Sequence, residues 1–303
     1  PVQNARVRFL GYGGVVLAAD GVTDVYGIAA ARIQLGPNTG EQYFEARCGG
    51  LSVYFDGYAY PKPTIFEHGV VNAATGEEGM GLAPGSYISF YGTGLSPTTK
   101  AFSTPYLPLS LANVSVSFDT KPGDLPALSL PGRIHFVSPN QINVQIPPEL
   151  FGRASVLTKV SYGDISTDVY EVALNDYSPA VFQYPIGAGL AAARYNGDIA
   201  SAANPVPRGE GVVEIYCNGL GPVDQPVPAG EPAPESPLIR TTTPIVVTIG
   251  GAPAEVQFSG LTPTGIGLYQ INVKPAADTP VGAQPVVITT GGVSSAPVYL
   301  HIR

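Results

Sequence analysis

His68, His135 and His301 are the only histidines in the 303-residue sequence, and Cys48 and Cys217 are the only cysteines. These five side chains are the natural carriers of soft-metal and thiol chemistry, yet no histidine has another His or Cys at zinc-ligand spacing. His135 lies between Ile134 and Phe136, the setting of a residue on a strand face. The two thiols admit two readings. A Cys48–Cys217 disulfide would close a loop of roughly 170 residues, with a chain-entropy contribution of about 5 kcal/mol. Alternatively both are free: in "GVVEIYCNGLGP" Cys217 alternates with Val213 and Ile215, so it should face a core, where cysteine behaves as a small hydrophobe.

Other candidates are weaker. Asp20/Asp24, Asp119/Asp124 and Asp164/Asp168 have calcium-ligand chemistry, but none lies in a dense oxygen-ligand loop. Turn formation is the competing role for these aspartates. The glycine-rich stretches "GYGG" (11–14) and "GTG" (92–94) precede no helix pattern that would offer its N-terminus to a phosphate. No GxSxG elbow is present. Tyr54, Tyr58 and Tyr60 in "VYFDGYAYP" form a candidate sugar-stacking platform, with strand and edge packing as the alternative. Asn113-Val114-Ser115 is a lone glycosylation sequon, meaningful only in a host that uses it. With no catalytic residues, cofactor site or metal set to assign, a non-catalytic protein is expected.

Composition says what must position these groups. Gly and Pro number 37 and 31, which long helices tolerate poorly, while 44% of residues are hydrophobic, too many for a disordered chain. Short strands joined by turns satisfy both facts. Only 13% of residues are charged, against about 25% in ordinary soluble domains. A weakly self-repelling surface suits packing against other chains or solid surfaces; a stable extracellular protein needing few charges is the other reading. A net charge of −8 argues against a phosphate-neutralising patch and sets nucleic acid aside. No apolar run reaches the 18 or so residues that would suggest a membrane span. The chain starts at Pro1 and its single methionine is Met80, as a secreted product with its signal removed, or a fragment, would.

The tetrapeptide Gln-Ile-Asn-Val occurs twice, at 141–144 and 270–273. It is one of four correspondences in the same order. "APGSYISFYGTGLSP" matches "PRGEGVVEIYCNGLGP", "SYGDISTDVYEVAL" matches "TGGVSSAPVYLHI", and "TIFEHGVVNAA" matches "AVFQYPIGAGLAAA". A repeat of this length is a domain rather than a solenoid rung. Each copy reads as six to eight short strands, the signature of a β-sandwich. In the second copy, strands are expected at 211–217, 244–249, 254–258, 269–273, 286–290 and 297–302. The proline-dense "GPVDQPVPAGEPAPESP" is expected to be a long surface loop. In both QINV segments Ile and Val share one strand face and Gln and Asn the other, so alternation accounts for the motif as architecture.

The run "NPVPRGEGVVEIYCNGLGPV", with "PVPAGEPAPESPL", "VTIGGAPAEVQFSGLTPTGIGLYQINVKPA" and "PVVITTGGVSSAPVYLHIR", resembles the Solibacter-type C-terminal domain family, uncharacterised domains of secreted bacterial proteins related to immunoglobulin-like IPT/TIG modules. The resemblance is close over 180–303 and more divergent over 63–177. It implies an immunoglobulin-like sandwich and export, and offers no catalytic residues. Cys217 departs from the pattern, standing where a small residue is usual and where the first copy has Gly92.

The expectation is therefore an all-β protein: an N-terminal β-rich element at 1–62 and tandem immunoglobulin-like sandwiches at 63–177 and 178–303. Residues 1–62 read as four to six strands, either a self-contained cap or an element completed by another chain through strand addition. The expected function is that of a secreted, extracellular or cell-surface structural protein that self-associates into a filament or surface assembly. A carbohydrate-binding or adhesin module, with polysaccharide as partner, is the alternative.

Overall fold

The computed structural model describes residues 1–79 and 81–303 and divides into two compact units, Pro1–Lys62 and Pro63–Arg303. The described residues form strands and turns with a single short 3-10 turn at Pro148–Leu150. No helix among them is long and apolar enough to cross a membrane.

The first unit holds β1 (Val7–Tyr12), β2 (Val15–Ala19), β3 (Ala31–Gln34), β4 (Gly40–Cys48) and β5 (Leu51–Ala59). β1, β4 and β5 make one antiparallel sheet in that order, and β2 and β3 make a separate hairpin. Alternation puts Phe44 opposite Phe55, with ring centroids 5.7 Å apart and nearly parallel. Phe44 is the one apolar side chain in the buried class among the described residues of this unit, while Leu51, Val53 and Tyr54 on β5 stand largely exposed.

The second unit contains two immunoglobulin-like sandwiches. The first comprises β6 (Thr64–Asn72), β7 (Tyr87–Thr93), β8 (Lys100–Ala101), β9 (Val114–Asp119), β10 (Ser129–Pro131), β11 (Arg133–Val137), β12 (Gln141–Gln145), β13 (Ser155–Tyr162), β14 (Ile165–Ser166) and β15 (Tyr170–Ala173). One sheet runs β6-β7-β12-β11-β8 and the other is built on β10-β9-β13. Ile88, Phe90, Ile142 and Val144 of the first sheet meet Val116, Phe118 and Val160 of the second in one buried cluster. The other sandwich comprises β16 (Ala180–Val181), β17 (Ala193–Tyr195), β18 (Asp198–Ile199), β19 (Val213–Asn218), β20 (Val246–Ile249), β21 (Ala252–Leu261), β22 (Tyr269–Lys274), β23 (Gly282–Thr290), β24 (Val293–Ser294) and β25 (Val298–Ile302). Its core gathers Val213, Ile215, Ile271 and Val273 against Val247, Ile249, Val286 and Ile288.

Both sandwiches turn the same corner. β21 pairs with β20 through Ala252–Ala254 and with β22 through Glu255–Leu261, carrying the chain from one layer to the other past a register shift between Val256 and Phe258. In the first sandwich β10 pairs with β9 and β11 with β12, with Gly132 between them. A Cβ at Gly132 would run into Val144 and the Phe118 ring, so the corner there passes too close to the core for a side chain.

The six strands expected in the second copy are all present, and two extend several residues beyond the expected bounds. β21 and β23 run through Pro253 and Pro285, residues that usually stop a strand. Each copy also carries two- and three-residue strands too short to leave a periodic signal.

Two expectations need correction. The Cys48–Cys217 bridge is not formed: both thiols are free. Cys217 lies wholly inside the second core, its sulfur 3.6 Å from the Ile215 carbonyl, and burial pushes its thiol pKa up, so the reactive thiolate is disfavoured. The proline-dense segment is not simply a surface loop either. Ala229, Gly230 and Ala233 are buried, and Gly230 is wedged against Arg133 and the Leu107 carbonyl of the first sandwich.

Candidate ligand cleft

The two sandwiches meet through polar side chains that satisfy backbone groups across the junction. Asn218 is fully buried at the end of β19. Its amide nitrogen donates to the Tyr87 carbonyl (2.7 Å) and to Asn72 Oδ1 (2.8 Å), and its Oδ1 accepts from the Tyr87 N–H (3.0 Å). Asn218 thus treats Tyr87 as a neighbouring strand would. Asn72 in turn donates to the Ser178 carbonyl. A second clasp is Gln145, whose Nε2 donates to the Gly85 carbonyl (3.0 Å) and whose Oε1 accepts from the Gly230 N–H (2.7 Å). Buried amides with both ends satisfied fix geometry because any displacement strands several groups at once.

Between these clasps and the surface the sandwiches enclose a cleft of about 880 Å3. One wall comes from the outward face of the first sandwich. Alternation on β7 turns Ile88 and Phe90 into the core and Tyr87, Ser89 and Tyr91 into the cleft, joined by Asn143 from β12 and His135 from β11. The facing wall carries Phe182, Gln183, Ile186, Tyr216, Ile266 and Leu268. The His135 ring meets the Tyr87 ring edge-on at 5.6 Å and lies 4.8 Å from Phe102. Burial among these rings lowers the His135 pKa, favouring neutral imidazole, and burial raises that of the Tyr87 phenol.

Hydrogen bonds set how the amides face the cleft. Asn143 Oδ1 accepts from Ser89 Oγ (2.9 Å) and from Gln141 Nε2 (2.8 Å), and Gln183 Oε1 accepts from the Gly189 N–H (2.8 Å). Each oxygen is committed to the protein, which leaves the amide N–H groups as donors to an occupant. Among the described residues lining the cleft there is no Asp, Glu, Lys or Arg. The QINV motif is thus architecture on its apolar face, while its polar face serves the cleft through Asn143 and the clasp through its neighbour Gln145. The alternation was legible in the sequence; the facing wall was not, because apart from Tyr216 of β19 it comes from segments of the other copy that lie outside its named strands.

The tyrosines singled out in the sequence lie elsewhere. Tyr54 and Tyr58 share the outer face of β5, and Tyr60 follows the strand. The Tyr58 and Tyr60 rings are 4.8 Å apart but tilted by 52°, so they do not form one plane. The same face carries the buried Glu45, which accepts from the Tyr12 hydroxyl (2.7 Å) and pairs with Arg47 (2.6 Å). Hydrogen bonds from Arg47, Ser52 and Tyr12 hold its pKa at about 2 against its burial.

Three of the candidate aspartates brace loop backbone: Asp24 accepts from the Tyr26 and Ile28 N–H groups, Asp20 from the Ala30 N–H and Asp124 from the Lys121 N–H, whereas Asp119 ends β9 and accepts from the Ser117 and Ser129 hydroxyls. Exposed His68 pairs with Glu78 at 2.9 Å. No group of three or more His, Cys, Asp or Glu among the described residues is placed to hold a metal ion.

No protein family and no curated protein matches the sequence. Solved structures similar to the chain include SGBP-B of the Bacteroides ovatus mixed-linkage glucan utilization locus in complex with a mixed-linkage heptasaccharide, at 12% identity and a TM-score of 0.32, covering 99% of this chain and 60% of that one. SGBP-B of a complex xyloglucan utilization locus in Bacteroides uniformis matches 80% of this chain at 12% identity and a TM-score of 0.25. The titin I9–I11 tandem matches 99% of this chain at 8% identity and a TM-score of 0.24. The chain spans 60% and 50% of the two SGBP-B chains. None of the three reaches a TM-score of 0.5, and none bears on what this chain binds.

Proposed function

We propose that the chain is a non-catalytic interaction protein of the cell exterior, built on tandem Solibacter-type domains, and that it holds a ligand in the cleft between its two sandwiches. The observation that carries this reading is the cleft's lining. Its volume lies in the range of small-molecule sites, roughly 300–1,000 Å3, and its walls combine aromatic rings with a few fixed polar groups. Clasps on both sandwiches hold the walls in place before a ligand arrives. His135 lies between two rings, with no carboxylate or ammonium among the described lining residues to orient it, which supports binding over proton transfer.

The test uses Nile red, an uncharged dye with apolar rings and a carbonyl acceptor. It is expected to brighten and shift to the blue with the native protein and to lose at least half that signal with Ile186→Asp. Ile186 is almost fully exposed on the cleft wall, so the change leaves the fold intact. An unchanged signal in the variant would remove the cleft as a ligand site.

Self-association is a second reading, favoured by the first unit. β5 ends its sheet, with β4 as its sole strand partner among the described residues, and its nine residues carry Asp56 as their single charge. Exposed apolar edge strands of this length are ready to pair with another chain. Negative-stain microscopy over a concentration series is expected to reveal ordered assemblies that Val53→Lys abolishes; a monomer at every concentration would end this reading.

A further inference from the structure

The cleft's chemistry narrows its occupant, on the footing that the cleft is the ligand site. We infer that it takes a neutral oligosaccharide. A phosphate, carboxylate or ammonium group entering it would lose hydration and find no opposite charge among the described lining residues. A purely apolar molecule would bury the Asn143 and Gln183 amide donors without partners. A pyranose answers both demands: its C–H face covers an aromatic ring, and its ring and hydroxyl oxygens accept from amide and tyrosyl donors. Tyr91, Phe102, Phe182 and Tyr216 supply rings on opposite walls, and Asn143 and Gln183 supply one oriented amide on each.

An extended uncharged peptide also offers both kinds of group, but peptides in that conformation are read through backbone ladders at a sheet edge. The cleft presents sheet faces instead. β7 lies between β6 and β12, β11 lies between β12 and β8, and β19 lies between β17 and β22, so their backbones are already paired. What remains for recognition is side chains projecting from a closed surface.

The experiment is calorimetric titration of the whole chain with neutral gluco-, xylo- and manno-oligosaccharides from disaccharide to hexasaccharide, with hexagalacturonate as the acidic probe. At least one neutral series is expected to bind, tightening with length until the cleft is filled. Tyr91→Ala and Gln183→Glu are each expected to weaken it at least tenfold with an unchanged melting temperature. Gln183→Glu keeps the oxygen that Gly189 donates to and removes the amide donors. Hexagalacturonate binding as tightly as the neutral series would overturn the inference, as would neutral binding indifferent to both variants. If no neutral sugar binds while Nile red still responds to Ile186→Asp, the sugar assignment falls and the cleft stands. If neither ligand registers the cleft variants, both fall.

Discussion

The two QINV strands are the same element in two settings. In each, Ile and Val enter a core and Gln bonds to Asn two residues on: Gln141 to Asn143 and Gln270 to Asn272, both at 2.8 Å. Each also pairs with the strand before a Gly-Leu turn, β12 with β7 and β22 with β19. The neighbours on that pairing differ. Asn143 stands opposite Ser89, in an uncharged cleft, whereas Asn272 stands opposite Glu214, whose carboxylate accepts from Tyr216. At the turn, Gly92 approaches the Thr64 carbonyl too closely for a Cβ, while its counterpart Cys217 fills the second core and Asn218 after it reaches back to the first sandwich. The same element thus lines the cleft with Asn143 in the first copy, while in the second the strand it pairs with ends in Asn218, which clasps the first sandwich.

The strongest way to break that asymmetry is to remove the clasp. Asn218→Ala leaves the Tyr87 N–H without a partner in the junction and removes the side-chain donor to the Tyr87 carbonyl and to Asn72 Oδ1, which keep the Ala73 and Ala74 N–H groups. At about 1–3 kcal/mol for the stranded group, with two further hydrogen bonds lost, the loss should reach about 3 kcal/mol. That corresponds to a fall of roughly 6–12 °C in the melting temperature of a unit this size. A change below about 2 °C in calorimetry would mean that the sandwiches do not depend on the Asn218 clasp. Gln145→Ala opens the second clasp, leaving the Gly230 N–H and the Gly85 carbonyl without their partner, and should cost about 2 kcal/mol. Because Asn218 and Gln145 hold one junction, the double variant is expected to lose less than the sum of the two. Strict additivity in urea melts would show that the clasps act independently.

The fold was legible because it rests on local pattern. Alternating Ile and Val, glycine-marked turns and a repeated tetrapeptide locate strands without any knowledge of their partners. The cleft was not legible, for a physical reason. Its floor residues Ser89 and Asn143 look like any outward face of a half-buried strand, and its far wall, Phe182, Ile186 and Ile266, lies in loops that obey no period. The proline-dense loop misled for the same reason: composition says that 221–237 cannot join a ladder, but not that the Gly230 N–H finds an acceptor in Gln145 Oε1 of the other copy. Tyrosine spacing misled as well. Residues 54, 58 and 60 cluster in sequence, yet the nearest two rings are tilted apart.

Cys217 sharpens the comparison at smaller scale. Since Gly92 occupies its place in the first copy without a side chain, the thiol contributes packing alone. Cys217→Ala should cost about 1 kcal/mol, as a small core truncation does. Reductant should leave the melting temperature of the native chain unchanged. A drop on reduction would restore the bridge that the structure lacks.

The smallest effect is carried by protons, and it has opposite signs at two histidines of the first sandwich. His135 is held neutral by burial, so its folded pKa lies below the ordinary imidazole value. As pH falls from about 6.5 the unfolded chain takes up that proton before the folded one does, and stability declines with acid. His68 is the reverse case. Its hydrogen bond to Glu78 raises its pKa, so its contribution is complete below the ordinary value and is lost as pH rises through the raised one. Because His68 is largely exposed, its contribution is screened and should be the lesser of the two. Urea midpoints measured from about pH 5 to 8 should therefore show a flatter acid limb in His135→Phe, which keeps the ring between Tyr87 and Phe102, and a flatter limb toward neutral pH in His68→Gln. A steeper acid limb in His135→Phe would mean that His135 is protonated in the folded state, and the cleft would then carry a positive charge in acid.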